Sequence, residues 1–289
     1  PLGTPLADSD DPAGVMEDFF TMLARPHLNL PQIMVLPDIH IDGPFSQMLQ
    51  GLAEARGLPL TVAGTVERAF LESGADADAY LRRALRKHHF NEFRRLKRRL
   101  SERGELEYRI AREPADIRLE LENFLALEAA GWKGRKGTAM AVDRLQSAFA
   151  REAVSGLAER DLCRIHTFRL DGKPIASLVV LVEAGIAYTW KTAFDESWSA
   201  YSPGTLLMIE LTRAHLQDPA IKTTDSCAAP DHPVVDRLWT ERRSISTIVI
   251  GLTPQARDAV DKTVQHLRFR RETRNFAHRM RERLRRLRA

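Results

Sequence analysis

The sequence predicts a mixed α/β fold in which central sheets are flanked by helices. Segments with the two-residue alternation of strands are interspersed with segments whose apolar residues recur at helical spacing. Residues 174–182, PIASLVVLV, are nearly all apolar, as expected for a strand that is covered on both faces. The turn residues 171–173, Asp-Gly-Lys, join it to residues 162–170 in the manner of a β-hairpin. These observations place a strand hairpin at the centre of a layered α/β protein.

The chain before residue 104 alternates between helical and extended patterns. Apolar residues at helical spacing predict helices at residues 15–23, 44–56 and 76–103. Extended segments are predicted at residues 28–37 and 61–72. Gly57 and Gly104 end the second and third helices, because glycine accepts the left-handed backbone of a helix C-terminus.

The chain after residue 104 contains most of the strands. Alternation or continuous apolar character predicts six of them, at residues 105–113, 162–170, 174–182, 186–194, 221–226 and 244–251. Helical spacing predicts helices from Pro114 to about residue 130, from about residue 140 to 157, and at residues 203–216, and a turn followed by a helix within residues 230–241. A long helix closes the chain. The Gly- and Lys-rich segment between residues 131 and 139 is predicted to be a loop.

Composition and cysteine content narrow the class of protein. The 289 residues are 44% hydrophobic and 28% charged, which is typical of globular proteins. The longest apolar run, residues 175–182, is far shorter than the ~20 residues of a membrane-spanning helix, and no leader pattern opens the chain. Cys163 and Cys227 form neither a metal-ligand pattern nor a disulfide framework. We therefore expect a cytoplasmic protein without a metal.

The formal charge of +4 conceals two strongly basic segments. Residues 80–103 and residues 268–289 each carry ten Lys or Arg against two Glu. Such segments are often solvated helix faces. They also suit an anionic membrane surface, which would make the protein peripheral at the inner membrane face, or an acidic acyl carrier protein. A nucleic acid is the least expected partner, because aromatic residues interleaved with the basic ones are few.

The stretch YSPGTLLMIEL, residues 201–211, admits three interpretations. Ser202 could be a nucleophile on a strand-to-helix turn, but the following Pro203 has no N–H to donate to an oxyanion. Ser202 could instead cap the helix, which is standard helix-start chemistry. The first turn contains no acidic residue, so the N–H groups of Gly204, Thr205 and Leu206 could bind an anion such as a pyrophosphate. The residues alone leave cap and anion site equally supported.

A second candidate site is the loop at residues 131–134, Gly-Trp-Lys-Gly. Trp132 between two glycines suits stacking or gating over a substrate, and Lys133 suits contact with a phosphate. The alternative is a buried tryptophan that anchors a surface loop, and the two interpretations are equally supported.

The order of elements and several stretches resemble the GNAT acyltransferase superfamily. The matching stretches are FLALEAAGWKGRKGTAM (124–140), DGKPIASLVV (171–180), the YSPGTLL turn and the strand that ends at Asp225. More specifically, the chain resembles the CelD-like branch, bacterial relatives of the FemAB peptidoglycan ligases that carry two GNAT-like units. This implies a partial first unit at residues 1–103, a GNAT domain at residues 104–251 and an Arg-rich helix at residues 252–289. Pro1 would then lie inside the family domain.

The resemblance implies a direct transfer of an acyl group from acyl-CoA, or from acyl carrier protein, to an amine or hydroxyl. The acceptor would be a small molecule or a lipid, envelope or polysaccharide precursor. The sheet would splay beside Thr192, Ala193 and Phe194, and the helix that starts after Ser202 would hold the pyrophosphate. The usual Q/R-x-x-G-x-G/A signature is absent, which weakens the implication for acetyl-CoA itself. The alternatives are a docking module without catalysis and an aminoacyl-tRNA-dependent transferase.

The resemblance also suggests candidates for proton transfer. Asp225, at the end of a strand, is the first candidate base, although strand-end polar residues are often turn formers. His232 could share this role or simply cap the next helix. Tyr201 could protonate the departing thiolate or be a packed aromatic residue. Glu196 is an alternative base or a solvated loop acid.

Overall fold

The chain forms two compact units in the computed structural model, which describes residues 3–72, 74 and 76–286. Side chains at residues 274, 275, 277–279 and 281–286 lie outside this description. The first unit comprises Pro1–Glu67 and Arg243–Ala289, and the second comprises Arg68–Arg242. These units are grouped by spatial contacts, and the family-domain boundaries after residues 103 and 251 stay a prediction, as does the tandem arrangement.

Helices and strands alternate along the described chain. In chain order they are α1 (Pro12–Leu23), β1 (Ile33–His40), α2 (Pro44–Ala55), β2 (Leu60–Glu72), α3 (Ala77–Ala84), α4 (Lys87–Ser101), β3 (Leu106–Ala111), α5 (Pro114–Ala130), α6 (Trp132–Arg135), α7 (Arg144–Ala158), β4 (Cys163–Leu170), β5 (Lys173–Glu183), β6 (Ile186–Phe194), α8 (Pro203–Gln217), β7 (Thr223–Asp225), α9 (Val235–Leu238), β8 (Glu241–Gly251) and α10 (Arg257–Arg286). The mixed α/β class predicted from the sequence is confirmed. No described helix has the combination of length and apolar character needed to cross a membrane.

A mixed sheet is the centre of the second unit. Its strand order is β2-β7-β6-β5-β4-β3, and the β6–β7 pair is parallel whereas the other described pairs are antiparallel. Val179 of β5 packs with α5 and α7, whereas its neighbour Leu178 packs with α3, α4 and α8. Helices therefore cover both faces of β5, as the continuous apolar run predicted.

The first unit has its own core. Strand β1 pairs antiparallel with β8, and helices α1 and α2 bury Phe20 and Leu49 against Ile248. On the other face, Val260 and Val264 of α10 pack on Val249. The N-terminal part of α10 is thus a core element, and its side chains become exposed towards residue 273.

Four predicted elements differ from the observed ones. The strand predicted at residues 28–37 is displaced to β1 at Ile33–His40 and begins after Pro31, which lacks an N–H for strand pairing. The single helix predicted at residues 76–103 is two helices, because Leu85 has an extended backbone and is buried in the core, where tertiary packing overrides local spacing. The helix predicted after the turn at residue 230 is only the short α9, because Trp239 has an extended backbone and is fully buried in the core, where tertiary packing ends the helix. The segment at residues 131–139 was predicted to be a loop, but it contains α6.

Candidate functional site

A gap opens in the sheet of the second unit where β7 ends. The parallel pairing with β7 covers only Ile186, Ala187 and Tyr188 of β6, whereas β6 itself continues to Phe194. Beyond the ladder, the Thr189 hydroxyl donates to the Ser226 carbonyl. The edge of β6 that faces away from β5 is therefore not covered by β7 from Trp190 onward. The ladder thus ends before Thr192, Ala193 and Phe194, where the family resemblance implied a splayed sheet, and the splay itself stays a prediction.

A β-bulge changes the direction of β6 beside this gap. Lys191 lies opposite Val179 and Thr189 lies opposite Val180, so Trp190 is an additional residue in β6. A bulge bends its strand and changes the direction in which the following side chains point. Thr192 after the bulge is exposed, Ala193 is buried and Phe194 is half-buried. Sequence analysis missed the bulge, because the pattern of β6 is an ordinary strand pattern.

Helix α8 begins at the same end of the sheet, but its first turn differs from the predicted one. Ser202 occupies the cap position with a left-handed backbone (φ 51°), and its side chain makes no capping hydrogen bond. Its carbonyl accepts from the N–H groups of Thr205 and Leu206, both at 3.0 Å. The interpretation of Ser202 as a side-chain cap is therefore wrong. Among the described residues, no protein group accepts from the N–H of Gly204, so this N–H of the first turn is available to a ligand.

The ring of Phe194 lies against this turn. A Cβ atom added at Gly204 would lie 3.4 Å from Cδ1 of Phe194, which is an ordinary van der Waals contact. Leu206 is buried in the core beneath. The end of β6 and the start of α8 therefore adjoin, so that one elongated ligand could contact both.

The basic helix α4 and the turn that follows it supply cations to the same place. Nε of Arg103 donates to the Tyr201 hydroxyl at 2.9 Å, and the guanidinium of Arg99 lies 5.8 Å from the centre of the Tyr201 ring. Lys97 anchors α4 to α8 through an ion pair with Glu210 at 2.8 Å. Sequence analysis found the basic helix and the α8 turn separately and missed that they adjoin. The Tyr201 ring packs on the core of this unit, as the packed-aromatic interpretation expects. Its hydroxyl accepts the bond from Arg103 and keeps its own proton, so the role of Tyr201 as a thiolate acid stays a prediction.

An open cleft of about 430 Å³ lies beside the end of β6. Helix α5, the residue that follows it and the segment after β6 form its walls. The lining residues are Asn123, Ala126, Leu127, Ala130, Gly131, Pro174, Phe194, Asp195, Glu196 and Ser197. A smaller cavity next to it is lined by Leu127, Glu128, Gly131, Trp132, Lys133, Thr192, Ala193, Phe194 and Glu196. The Trp132 loop and the end of β6, predicted separately from the sequence, therefore form one region.

Glu196 holds this region together. Its carboxylate accepts from the backbone N–H of Trp132 at 2.7 Å and from Arg135 at 2.6 Å. The hydrogen bond from Arg135, followed by that from Trp132, lowers the pKa of Glu196. A general base that works near neutral pH needs a raised pKa instead. The geometry thus gives Glu196 the role of fixing α6, and its catalytic role stays a prediction.

Glu128 is a polar residue of this site that sequence analysis did not single out. Its buried carboxylate accepts from Lys133 Nζ and from the backbone N–H of Met140, both at 2.8 Å. The same Lys133 ammonium lies 3.4 Å from the Thr192 carbonyl of β6. The sequence does contain a signal for Glu128. It is a glutamate in an otherwise apolar stretch of α5, and a lysine follows five residues later. Lys133 is therefore held by the protein, and its contact with a phosphate stays a prediction.

The two predicted bases at and after the end of β7 share no contact among the described residues. Asp225 is fully buried, accepts from the Cys227 N–H at 2.7 Å and lies 3.7 Å from Arg68. His232 is exposed, and its Nδ1 accepts from the N–H groups of Val234 and Val235 at 3.3 and 3.4 Å. The capping interpretation of His232 thus fits the structure, while burial weighs against a base at Asp225. Catalytic roles for both residues stay predictions.

The comparison with protein families decides the classification. A family model described as an acetyltransferase (GNAT) domain matches residues 86–232, just over half of the chain. The chain belongs to the GNAT acetyltransferase family. The matched residues contain β6, β7, the first turn of α8 and the cleft beside them. This GNAT domain is accordingly an acyltransferase domain, and such domains generally use acetyl-CoA or another acyl-CoA. The more specific CelD-like branch stays a prediction.

Solved structures share the fold of this GNAT protein. The C-terminal domain of a protein described as a lysylphosphatidylglycerol synthetase from Agrobacterium fabrum matches with a TM-score of 0.58 at 15% identity, over 89% of this chain and 77% of that one. L-PGS from Bacillus licheniformis matches with a TM-score of 0.54 at 11% identity, over 89% and 78%. FemX matches with a TM-score of 0.53 at 10% identity, over 86% and 78%. No curated protein sequence matched the chain.

Proposed function

We propose that the second unit transfers an acyl group from acyl-CoA directly to an amine or hydroxyl. The observation that carries this proposal is the separation of β6 from β7 beside the start of α8. The gap leaves one edge of β6 without a strand partner from Trp190 onward. Backbone groups at such an edge can pair with the amide groups of an extended ligand, as an added strand does. The pantetheine arm of CoA carries two amides and is such a ligand.

The start of α8 is the proposed site of the CoA phosphates. Gly204 offers its N–H at the positive end of the helix dipole. Arg99 and Arg103 lie around Tyr201, two residues before Pro203, and are exposed. Arginine forms paired hydrogen bonds with phosphate oxygens, so these side chains add charge and direction to a single backbone donor. The phosphates would then lie at α8 and the acyl end near residues 192–194.

The open cleft of about 430 Å³ beside Phe194 is the proposed acceptor site. In the transfer, the acceptor nitrogen or oxygen forms a bond to the thioester carbon and the carbon–sulfur bond breaks. The CoA sulfur leaves as a thiolate and is then protonated, and the acceptor loses one proton. Solvent in the open cleft is the proposed recipient of that proton. A catalytic role for His232 stays a prediction, because its Nδ1 already accepts from the N–H groups of Val234 and Val235.

Calorimetric binding of CoA thioesters tests this function. We expect acetyl-CoA or a longer acyl-CoA to bind, and R99Q/R103Q to weaken binding at least tenfold, because two phosphate contacts lose their charge. The matched control is R94Q/R98Q, which removes the same charge from other positions of α4. Equal losses in the two variants would show a nonspecific charge effect. Absence of binding for every CoA thioester would refute the proposed donor.

A further inference from the structure

An unusual surface lies on the second unit beside the proposed acceptor site. Of the five large apolar side chains that are exposed among the described residues of this unit, four lie within 18 residues of sequence: Trp132 (46%), Val142 (57%), Leu145 (81%) and Phe149 (61%). The fifth is Leu119. The segments that carry the four, α6, the turn Met140–Val142 and α7, all pack against α5. Scattered exposed apolar residues are ordinary, whereas grouped ones that include aromatic residues mark an interaction site. We call this cluster the 132–149 surface.

Two large apolar residues of α7 point away from the core. Leu145 and Phe149 are four residues apart and therefore lie on one face of the helix. The opposite face of α7 carries Ala150 and Val154, which are fully buried against α5. Leu145 and Phe149 therefore contribute nothing to the core, and their exposure is unfavourable in water unless something covers them.

Two cations without an acidic partner border this surface. Residues 131–151 contain five Lys or Arg and one Asp. Lys133, Arg135 and Arg151 are paired with Glu128, Glu196 and Glu122. Lys136 and Arg144 have no acidic partner among the described residues, and the Lys136 ammonium lies 4.9 Å from the centre of the Trp132 ring. Apolar and aromatic residues bordered by unpaired cations are the composition of segments that lie in an anionic membrane interface.

The 132–149 surface begins at the rim of the proposed acceptor site. Trp132 lines the smaller cavity next to the open cleft. The N–H of Met140, just before Val142, is bound by the buried carboxylate of Glu128, which also holds Lys133. The segments that carry the exposed side chains therefore pack on α5, the helix that forms a wall of the cleft.

We propose that the 132–149 surface docks on an anionic lipid bilayer, and that the acceptor is the amine or hydroxyl of a lipid headgroup. The lipid-headgroup acceptor rests on the proposed acyltransferase function, whereas the docking on the bilayer does not. A second copy of the chain is a poorer occupant, because a symmetric interface would bring the like charges of Lys136 and Arg144 close to those of the partner. An anionic bilayer accepts the apolar side chains and the cations together.

Co-sedimentation with lipid vesicles tests the docking surface. The full chain is mixed with vesicles of phosphatidylcholine, with or without about a third of phosphatidylglycerol. We expect stronger binding to the anionic vesicles, and a partition coefficient at least tenfold lower for L145S/F149S. The variant L119S removes the exposed leucine outside the 132–149 surface and should bind like the unchanged protein.

Three results would overturn the proposal. The first is that the unchanged protein fails to bind anionic vesicles. The second is that L145S/F149S binds the vesicles as well as L119S does. The third is that the unchanged protein is a dimer and L145S/F149S a monomer in analytical ultracentrifugation. The second result would assign membrane binding to the basic helices instead. Calorimetry with acyl-CoA separates this question from the proposed function: L145S/F149S should bind acyl-CoA normally. If L145S/F149S loses vesicle binding while the unchanged protein binds vesicles but no acyl-CoA, the docking surface is supported and the enzymatic proposal is refuted.

Discussion

Replacing Gly204 by glutamate should separate ligand binding from folding stability at the start of α8. Gly204 is the second residue of the helix, and its backbone does not have a positive φ, so a side chain is sterically acceptable. The new Cβ would lie 3.4 Å from the ring of Phe194, which is an ordinary contact. The substitution therefore adds a negative charge at the helix N-terminus without forcing the backbone to change.

Stability and acyl-CoA affinity should change in opposite directions. Glutamate is a better helix former than glycine, and an acid near a helix N-terminus is favourable, so the free energy of unfolding should rise by about 1 kcal/mol. Two like charges about 4 Å apart at an effective dielectric constant of about 20 repel by about 4 kcal/mol. A mobile glutamate avoids roughly half of this repulsion, which leaves about 2 kcal/mol, or about a thirtyfold weaker affinity for acyl-CoA.

Urea denaturation and calorimetry measure the two quantities, and G204A is the matched control. Alanine adds the same Cβ without the charge, so acyl-CoA should bind G204A within a few-fold of the original affinity. If G204E binds acyl-CoA as well as G204A does, no phosphate lies at this turn and the argument fails. A loss of stability in G204E would show instead that Phe194 cannot accommodate the added side chain.

Two further predictions concern the cleft and the buried histidines. E196Q removes the charge that holds Arg135 and weakens the hydrogen bond from the Trp132 N–H. Amide hydrogen exchange at residues 131–136 should therefore accelerate, while the global melting temperature changes little. Unchanged exchange would contradict the role of Glu196 in fixing α6. Burial lowers the pKa of His215 to about 3 and that of His166 well below its ordinary value. The unfolded chain therefore binds more protons below about pH 6.5, so the free energy of unfolding should fall as the pH falls towards 3. H215Q should make this decline shallower in denaturant titrations at several pH values, and an identical slope would show that His215 does not carry it.

The sequence alone was sufficient where the signal is local. The apolar run in β5 predicted a strand covered on both faces, and Leu178 and Val179 do pack into opposite cores. Pro203 and Gly204 predicted the start of α8, which begins at Pro203. Side-chain periodicity and turn chemistry depend on neighbours within a few residues, so they can be recognised without tertiary contacts.

Local patterns were insufficient where long-range packing competes with them. Residues 76–103 have one continuous helical pattern, yet the chain breaks at Leu85 so that this side chain enters the core. The bulge at Trp190 depends on the register between β5 and β6, which alternation within one strand does not encode. Likewise, Ser202 has the composition of a cap, but its left-handed backbone turns the carbonyl, not the hydroxyl, towards the helix N–H groups.

The sequence by itself determined the fold class, the main strands, the two basic segments and the helix start that resembles an anion site. Only the tertiary structure decided which of these meet. It brings Arg103 to Tyr201 across 98 positions and Glu196 to Trp132 across 64, and it buries Asp225 beside Arg68. The physical reason is that side-chain type and periodicity are properties of short segments, whereas charge pairing, burial and the shape of a cleft depend on distances between segments that are far apart in the chain.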